Sequence, residues 1–227
     1  MVASRKLQRV IRFCRQRPLG AIGGLIFLIM VFTAVLADWI APYDPLVNDY
    51  GAMLSPPSMK HPMGTDAHGR DVLSRIIYGS RTALLVGFSS AFFGATLGAI
   101  IGVMCAYFGG KTDVIIQRFM EILLSFPIIV MALAMMAVLG TGILNVILAI
   151  TIPMVPRSAQ VIRSCALSIR SMPYVDAART SGFGHGRIMF RHILPNVAAP
   201  YLILVTAYLG GAILTEASLS FLGVGVA

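Results

Sequence analysis

Within "HPMGTDAHGRD", His61, Asp66, His68 and Asp71 place two imidazoles and two carboxylates inside eleven residues. Such groups can hold a divalent cation, but zinc sites repeat short paired spacings, and this spacing matches none of them. Gly64 and Gly69 suit turns, and Thr65 and Asp66 can bond their own backbone there, so no metal is expected. Cys14, Cys105 and Cys165 show neither a C-x-x-C nor a paired spacing, which argues against a disulfide framework and a metal site alike. Arg118 and Glu121 lie three apart on one helix face and can pair with each other. The last stretch rich in reactive groups is "DAARTSGFGHGRIMFRHILP", residues 176–195, basic, dotted with glycine and closed by a proline. No histidine or carboxylate cluster able to do acid–base work lies in the apolar runs, so no catalysis is expected of this chain. No GxxxxGK[ST] stretch is present, so no nucleotide cofactor is expected on it either.

These residues sit between segments that read as lipid-soluble. The chain is 57% hydrophobic and 12% charged, about half the roughly 25% charged residues of a soluble domain. No Asp, Glu, Lys or Arg occurs from Thr82 to Gly110 or from Ile122 to Pro156, and about 20 apolar residues suffice to cross the hydrocarbon core. The fold class expected is an all-α, polytopic transmembrane helical bundle. The alternating strands of a barrel are excluded by the pattern. About five spans are expected, near residues 19–41, 82–107, 114–138, 142–162 and 198–222. Ahead of the first lie Arg5, Lys6, Arg9, Arg12, Arg15 and Arg17; its apolar run from Leu19 is longer than a signal-peptide core, so it reads as a retained span with Trp39 and Tyr43 at the far interface. With the N-terminus inside the cell, thirteen basic residues fall on the cytoplasmic side and four outside, which fits the positive-inside bias. The net charge of +9 is then loop charge facing membrane lipid, not a nucleic-acid surface.

Four segments follow: a basic cytoplasmic N-terminus at 1–18, the first span at 19–41, a periplasmic loop at 42–81, and a membrane domain at 82–227. In the loop, Asp71 opens a pattern with Val72, Leu73, Ile76 and Ile77 on one face, which predicts a short amphipathic helix at the membrane surface. Gly94, Gly98 and Gly102 recur at four-residue spacing, which permits close helix packing or the wall of a path through the bundle. Pro127, Pro153 and Pro156 interrupt the third and fourth spans, and broken helices can line cavities. Glu216 lies deep in the fifth span beside Thr215 and Ser218, where a carboxylate costs several kcal/mol unless paired or wetted. It is a candidate for a translocation path, with a helix–helix hydrogen bond as the alternative.

Residues 173–195 predict two small helices joined by a glycine corner. Pro173 is tolerated in a first turn, Asp176 suits the positive end of the dipole, and Gly182 supplies a positive φ at about the helix end. A second helix carries Arg187 and Arg191 and ends at Pro195. Such a knob docks into a groove on a partner or simply fixes topology.

The segment resembles the EAA loop of bacterial ABC-importer permeases, which reads Glu-Ala-Ala, three residues, Gly, nine residues, then Ile-x-Leu-Pro. Asp176, Ala177, Ala178, Gly182, Leu194 and Pro195 fall on that pattern, with Asp176 in place of Glu and His192 in place of Ile. "GTDAHGRDVLSRIIYGSR" and "RPLGAIGGLIF…APYDP" resemble further stretches of the dipeptide/oligopeptide/nickel permease family and of its C-type subunit. The resemblance implies a permease subunit of the bacterial inner membrane for peptides, or for nickel or another small solute. It also implies six spans, a heterodimer with a homologous permease, two cytoplasmic ATPases that hydrolyse ATP with Mg, and a periplasmic solute-binding protein. Five expected spans then read as a chain shortened by the last one, with an inactive fragment as the remaining alternative.

Overall fold

A computed structural model describes Arg12 and residues 14–225; the basic residues Arg5, Lys6 and Arg9, and the last two residues, lie outside that range. The described residues are mostly helical, with no sheet among them beyond one isolated bridge between Thr65 and Asp71. The chain divides into two compact units, parting after Leu84.

In the first unit, α1 (Pro18–Val35) starts on Pro18 and is apolar all round, the composition of a helix surrounded by lipid. A short α2 (Ala37–Ile40) follows. The C-terminal end of α1 is met by Arg81, whose Nε donates to the Ala34 carbonyl at 2.6 Å while its guanidinium grips the Asp38 carboxylate of α2 at 2.9 Å. Tyr78 also donates its hydroxyl to Asp38, at 3.0 Å.

Arg81 and Tyr78 belong to α3 (Val72–Phe108), a single helix of 37 residues. The expected surface helix at 71–77 is therefore the first two turns of a longer rod, and the loop closes at Asp71 instead of 81. The reason is local. Asp71 starts the helix by accepting from the Ser74 amide at 2.8 Å, and "YGSRT" holds one glycine, whose cost of about 1 kcal/mol does not stop propagation.

In the second unit, α3 continues, and α4 (Gly110–Leu124) and α5 (Ile128–Leu139) follow at an 89° bend. One third span at 114–138, interrupted at Pro127, was expected, and the interruption is a full bend. Pro127 stands in extended geometry, φ −58° and ψ 134°, and a residue preceding proline is kept out of the helical region. Next comes α6 (Ile143–Arg170), which carries Pro153 and Pro156 inside and runs unbroken eight residues beyond the expected end. α7 (Pro173–Thr180) leads to α8 (His185–Ile188), and α9 (Ala198–Phe221) completes the unit.

Pro195 does not end the second small helix. The chain passes from α8 through a π turn (Met189–Ile193) and a 3-10 turn (Leu194–Val197) into α9, one helical rod over His185–Phe221. A proline ring displaces the carbonyl four residues back. Here the widened turn absorbs it, a common π-bulge role, and the Asn196 side-chain amide donates to the nearby His192 carbonyl at 2.7 Å. Among the described residues, four helices are long and apolar enough to cross a membrane, and a fifth span is obtained if α4 and α5 form one broken span.

Candidate functional site

Two polar regions come out of the fold, and each is built differently. In the first unit, the loop from Ala41 to Asp71 is closed on itself by carboxylates. Asp66 accepts from the backbone amides of His68 and Arg70 at 2.8 and 3.0 Å, from Arg70 Nε at 2.8 Å, and from the Arg75 guanidinium. Partial loss of water pushes its pKa up, but those four donors outweigh it and hold the carboxyl well below the usual carboxylate range. Asp71 accepts from Ser74 twice and from His61 Nδ1 at 3.0 Å. Its burial raises the pKa and the donors pull it net downward. Ser74 Oγ in turn accepts from the Tyr43 amide. Gly64 and Gly69 sit at φ +73° and +75°, and a Cβ on Gly69 would overlap the Asp49 carbonyl. His61, Asp66, His68 and Asp71 are therefore placed by turn and capping bonds, and among the described residues no group of three or more His, Cys, Asp or Glu is arranged to hold a metal ion.

In the second unit, α7 lies on the apolar core. Val175 and Ala178 are buried and share a cluster with Val103, Ile162, Ala166 and Ile188. Residues three apart share a helix face, so the opposite face turns outward. Asp176, Ala177, Arg179 and Thr180 are exposed, and so is Gly182. Asp176 accepts from Arg179 at 3.2 Å, its one side-chain partner among the described residues. Gly182 takes φ +75°, the left-handed corner that only glycine adopts freely, and a Cβ there would meet nothing within 4 Å. Leu194 is half-buried and Pro195 exposed. The six residues of the motif thus divide: Ala178, and in part Leu194, anchor the segment, while Asp176, Ala177, Gly182 and Pro195 present a surface.

The anchor is reinforced by residues that the motif omits. Tyr107, near the C-terminus of α3, shares a 2.7 Å hydrogen bond with His185 Nδ1. The Arg179 guanidinium lies 5.5 Å from the centre of the Tyr107 ring, within cation–π range. Arg170 donates to the Ala106 carbonyl at 3.0 Å, and Arg163 pairs with Asp113 through its Nε at 2.6 Å. Tyr107 and His185 are 78 residues apart, so no local pattern could flag them.

The residues proposed for a path are dispersed. Gly94, Gly98 and Gly102 face α6: a Cβ on Gly94 would lie 3.0 Å from Met154 Cβ, one on Gly98 would overlap Ser158, and one on Gly102 would lie 2.5 Å from the Ala159 carbonyl. They form a close helix–helix seam, the packing alternative, and the seam leaves them no open wall. Ser158 Oγ crosses it to donate to the Ala95 carbonyl at 3.0 Å. Glu216 is half-buried and accepts from Ser220 Oγ at 2.8 Å on its own helix, so a helix–helix bond is not what holds it. Arg118 and Glu121 pair at 2.8 Å.

Four or five apolar spans among the described residues define a multi-pass membrane protein, and its relatives place it in the transporter class. The chain belongs to the family of inner membrane components of binding-protein-dependent transport systems, whose model matches residues 94–227. The N-terminal transmembrane domain of oligopeptide transport permease C matches residues 6–57. A Brucella suis biovar 1 protein, provisionally named a peptide transport system permease, is 42% identical over 214 residues, 94% of this chain and 72% of the relative. A di/tripeptide transport system permease of Pseudomonas aeruginosa is 39% identical, over 91% and 71%. A glutathione transport system permease of Escherichia coli O6:K15:H31 is also 39% identical, over 94% and 71%. The chain therefore spans a little over two thirds of the length of these relatives.

Proposed function

We propose that this chain is the permease subunit through which an ATP-driven importer moves short peptides across the bacterial inner membrane. The carrying observation is the outward face of α7: Asp176, Ala177 and Gly182 are exposed on a segment whose other face is fixed by Val175 and Ala178. That face receives a cytoplasmic ATPase, and its displacement on nucleotide closure is passed to α3 through Tyr107 and His185. The peptide, di/tripeptide and glutathione names of the relatives support peptides as the cargo. The chain performs no catalysis; ATP and Mg belong to two ATPase partners, a homologous permease completes the channel, and a periplasmic binding protein delivers the cargo. The basic N-terminus and the α7–α8 segment lie in the cytoplasm, as the excess of basic residues on those segments supports.

Substitution of Gly182 by Leu is the direct test. The side chain has room, so membrane insertion should persist, while the positive φ becomes strained and the docking face changes shape. Uptake by the assembled transporter should fall at least about tenfold, and ATPase activity should lose its stimulation by loaded binding protein. Unchanged uptake overturns the reading.

A further inference from the structure

At the bend between α4 and α5, the second unit holds a cleft of about 380 Å³, within the roughly 300–1,000 Å³ of small-molecule sites. Phe126 and Pro127 form the bend side, Pro153 and Arg157 come from α6, and Tyr208 and Thr215 come from α9. The remaining walls are apolar, and no carboxylate lines the cleft.

Arg157 is the odd member of its helix. Of the three cations on α6, Arg163 is held by Asp113 and Arg170 by the Ala106 carbonyl. Arg157 forms no ion pair among the described residues. Across the same cleft, the Tyr208 hydroxyl is shielded from solvent with no hydrogen-bond partner, although buried hydroxyls are ordinarily bonded. The helix α5 also begins at this rim with no side-chain cap, which leaves its first amides and its positive dipole end turned to the bend. An exposed guanidinium and a shielded hydroxyl, both without partners among the described residues, meet at one largely apolar cleft and suit a ligand with an anionic end and an apolar body.

Resting on the peptide reading above, we infer that Arg157 and Tyr208 receive the C-terminal carboxylate of a peptide during its passage. Arg binds carboxylates through a planar fork of donors. A tyrosine hydroxyl adds a second, neutral donor. The apolar walls take side chains of different shapes without reading them, and the peptide's amino end finds no acid here. A cation that serves only to orient the chain in the membrane would show none of this selectivity.

The test uses the whole transporter in proteoliposomes, with a labelled dipeptide supplied either as the free acid or as its C-terminal amide. Each form is presented on saturating, preloaded binding protein, so that the binding protein's own preference drops out. The unaltered transporter should take up the acid at least about tenfold faster, the scale of a hydrogen bond to a charged group. Arg157→Gln should bring the ratio close to one, Arg157→Lys should retain part of it, and Tyr208→Phe should lower it to an intermediate value. If Arg157→Gln fails to assemble with the ATPases, the Lys and Phe variants decide. Equal rates for acid and amide in the unaltered transporter, or a ratio that none of the variants moves, overturn the inference alone. Uptake of neither form, alongside uptake of another solute, overturns the peptide reading and the inference with it.

Discussion

The loop between Ala41 and Asp71 and the segment from Pro173 to Pro195 are both polar interruptions of an apolar chain, yet they treat their charges in opposite ways. In the first, Asp66 and Asp71 gather donors from within the loop and from the first turns of α3, and His61 is buried against Asp71. In the second, Asp176, Arg187 and Arg191 remain exposed, and Gly182, Gly184 and Gly186 have nothing within 4 Å of where a side chain would start. The apolar residues of that segment are committed to the core, and of its polar ones His185 and Arg179 reach back to Tyr107. A polar loop whose hydrogen bonds close internally is a structural brace. One that anchors by its apolar face and leaves most of its polar face open gains little stability from those exposed charges, which fits the proposed docking of a partner there.

This contrast can be broken most sharply on α7 itself. Ala178→Asp would bury an unpaired carboxylate in the core cluster, at a cost of several kcal/mol, whereas Ala177→Asp on the neighbouring exposed position should stay within about 0.5 kcal/mol. Thermal unfolding in detergent should separate the two widely, while co-purification of the ATPases should suffer in both. Equal stability for the pair would mean that the segment has no buried face.

In the loop, Asp71→Ala removes the start of α3 and leaves His61 and Ser74 without their acceptor, a loss of about 3 kcal/mol from a cap and buried hydrogen bonds. Limited proteolysis should then cut between residues 43 and 71, where the unaltered loop resists. Acid should sharpen the same point. Because the Asp66 carboxyl is held below its ordinary range, its stabilisation is complete above about pH 4 and fades only as pH falls through the lowered value. Trp39 is the single tryptophan, and its fluorescence should hold steady from pH 8 to about 5 and change only below about 4, with the acid step altered in Asp66→Asn.

The smallest expected effect is that of Tyr107→Phe. It keeps the ring that Arg179 overlies and removes one hydrogen bond, about 1 kcal/mol. Stability should barely move, while the ATP hydrolysed per peptide imported should rise; an unchanged ratio would make the contact a passive one.

Much of this architecture was legible along the chain. Uncharged runs marked the spans, because burial in lipid demands about 20 apolar residues whatever the neighbours. The turn at Gly182 and the start of α7 at Pro173 were equally readable, since positive φ and a missing amide are properties of single residues. Proline rules carried less far. Pro127 breaks its span, Pro153 and Pro156 do not, and Pro195 is passed through by a widened turn. The outcome at each depends on whether neighbours can take up the freed carbonyl, which the local rule does not contain. The glycine stripe was ambiguous for a similar reason: spacing shows that one face of α3 is small, but not what presses on it.

By itself, then, the sequence determined the class of the molecule, its membrane segments, and the motif that places it among transport permeases, because hydropathy and backbone geometry act over a few neighbouring residues. Only the tertiary structure decided which half of the motif anchors and which half is open. The pairing of Tyr107 with His185 and of Asp113 with Arg163, and the meeting of Arg157 with Tyr208 at a cleft, were decided there too. Those contacts join residues about 50 to 80 positions apart, and only the way the helix faces pack selects them.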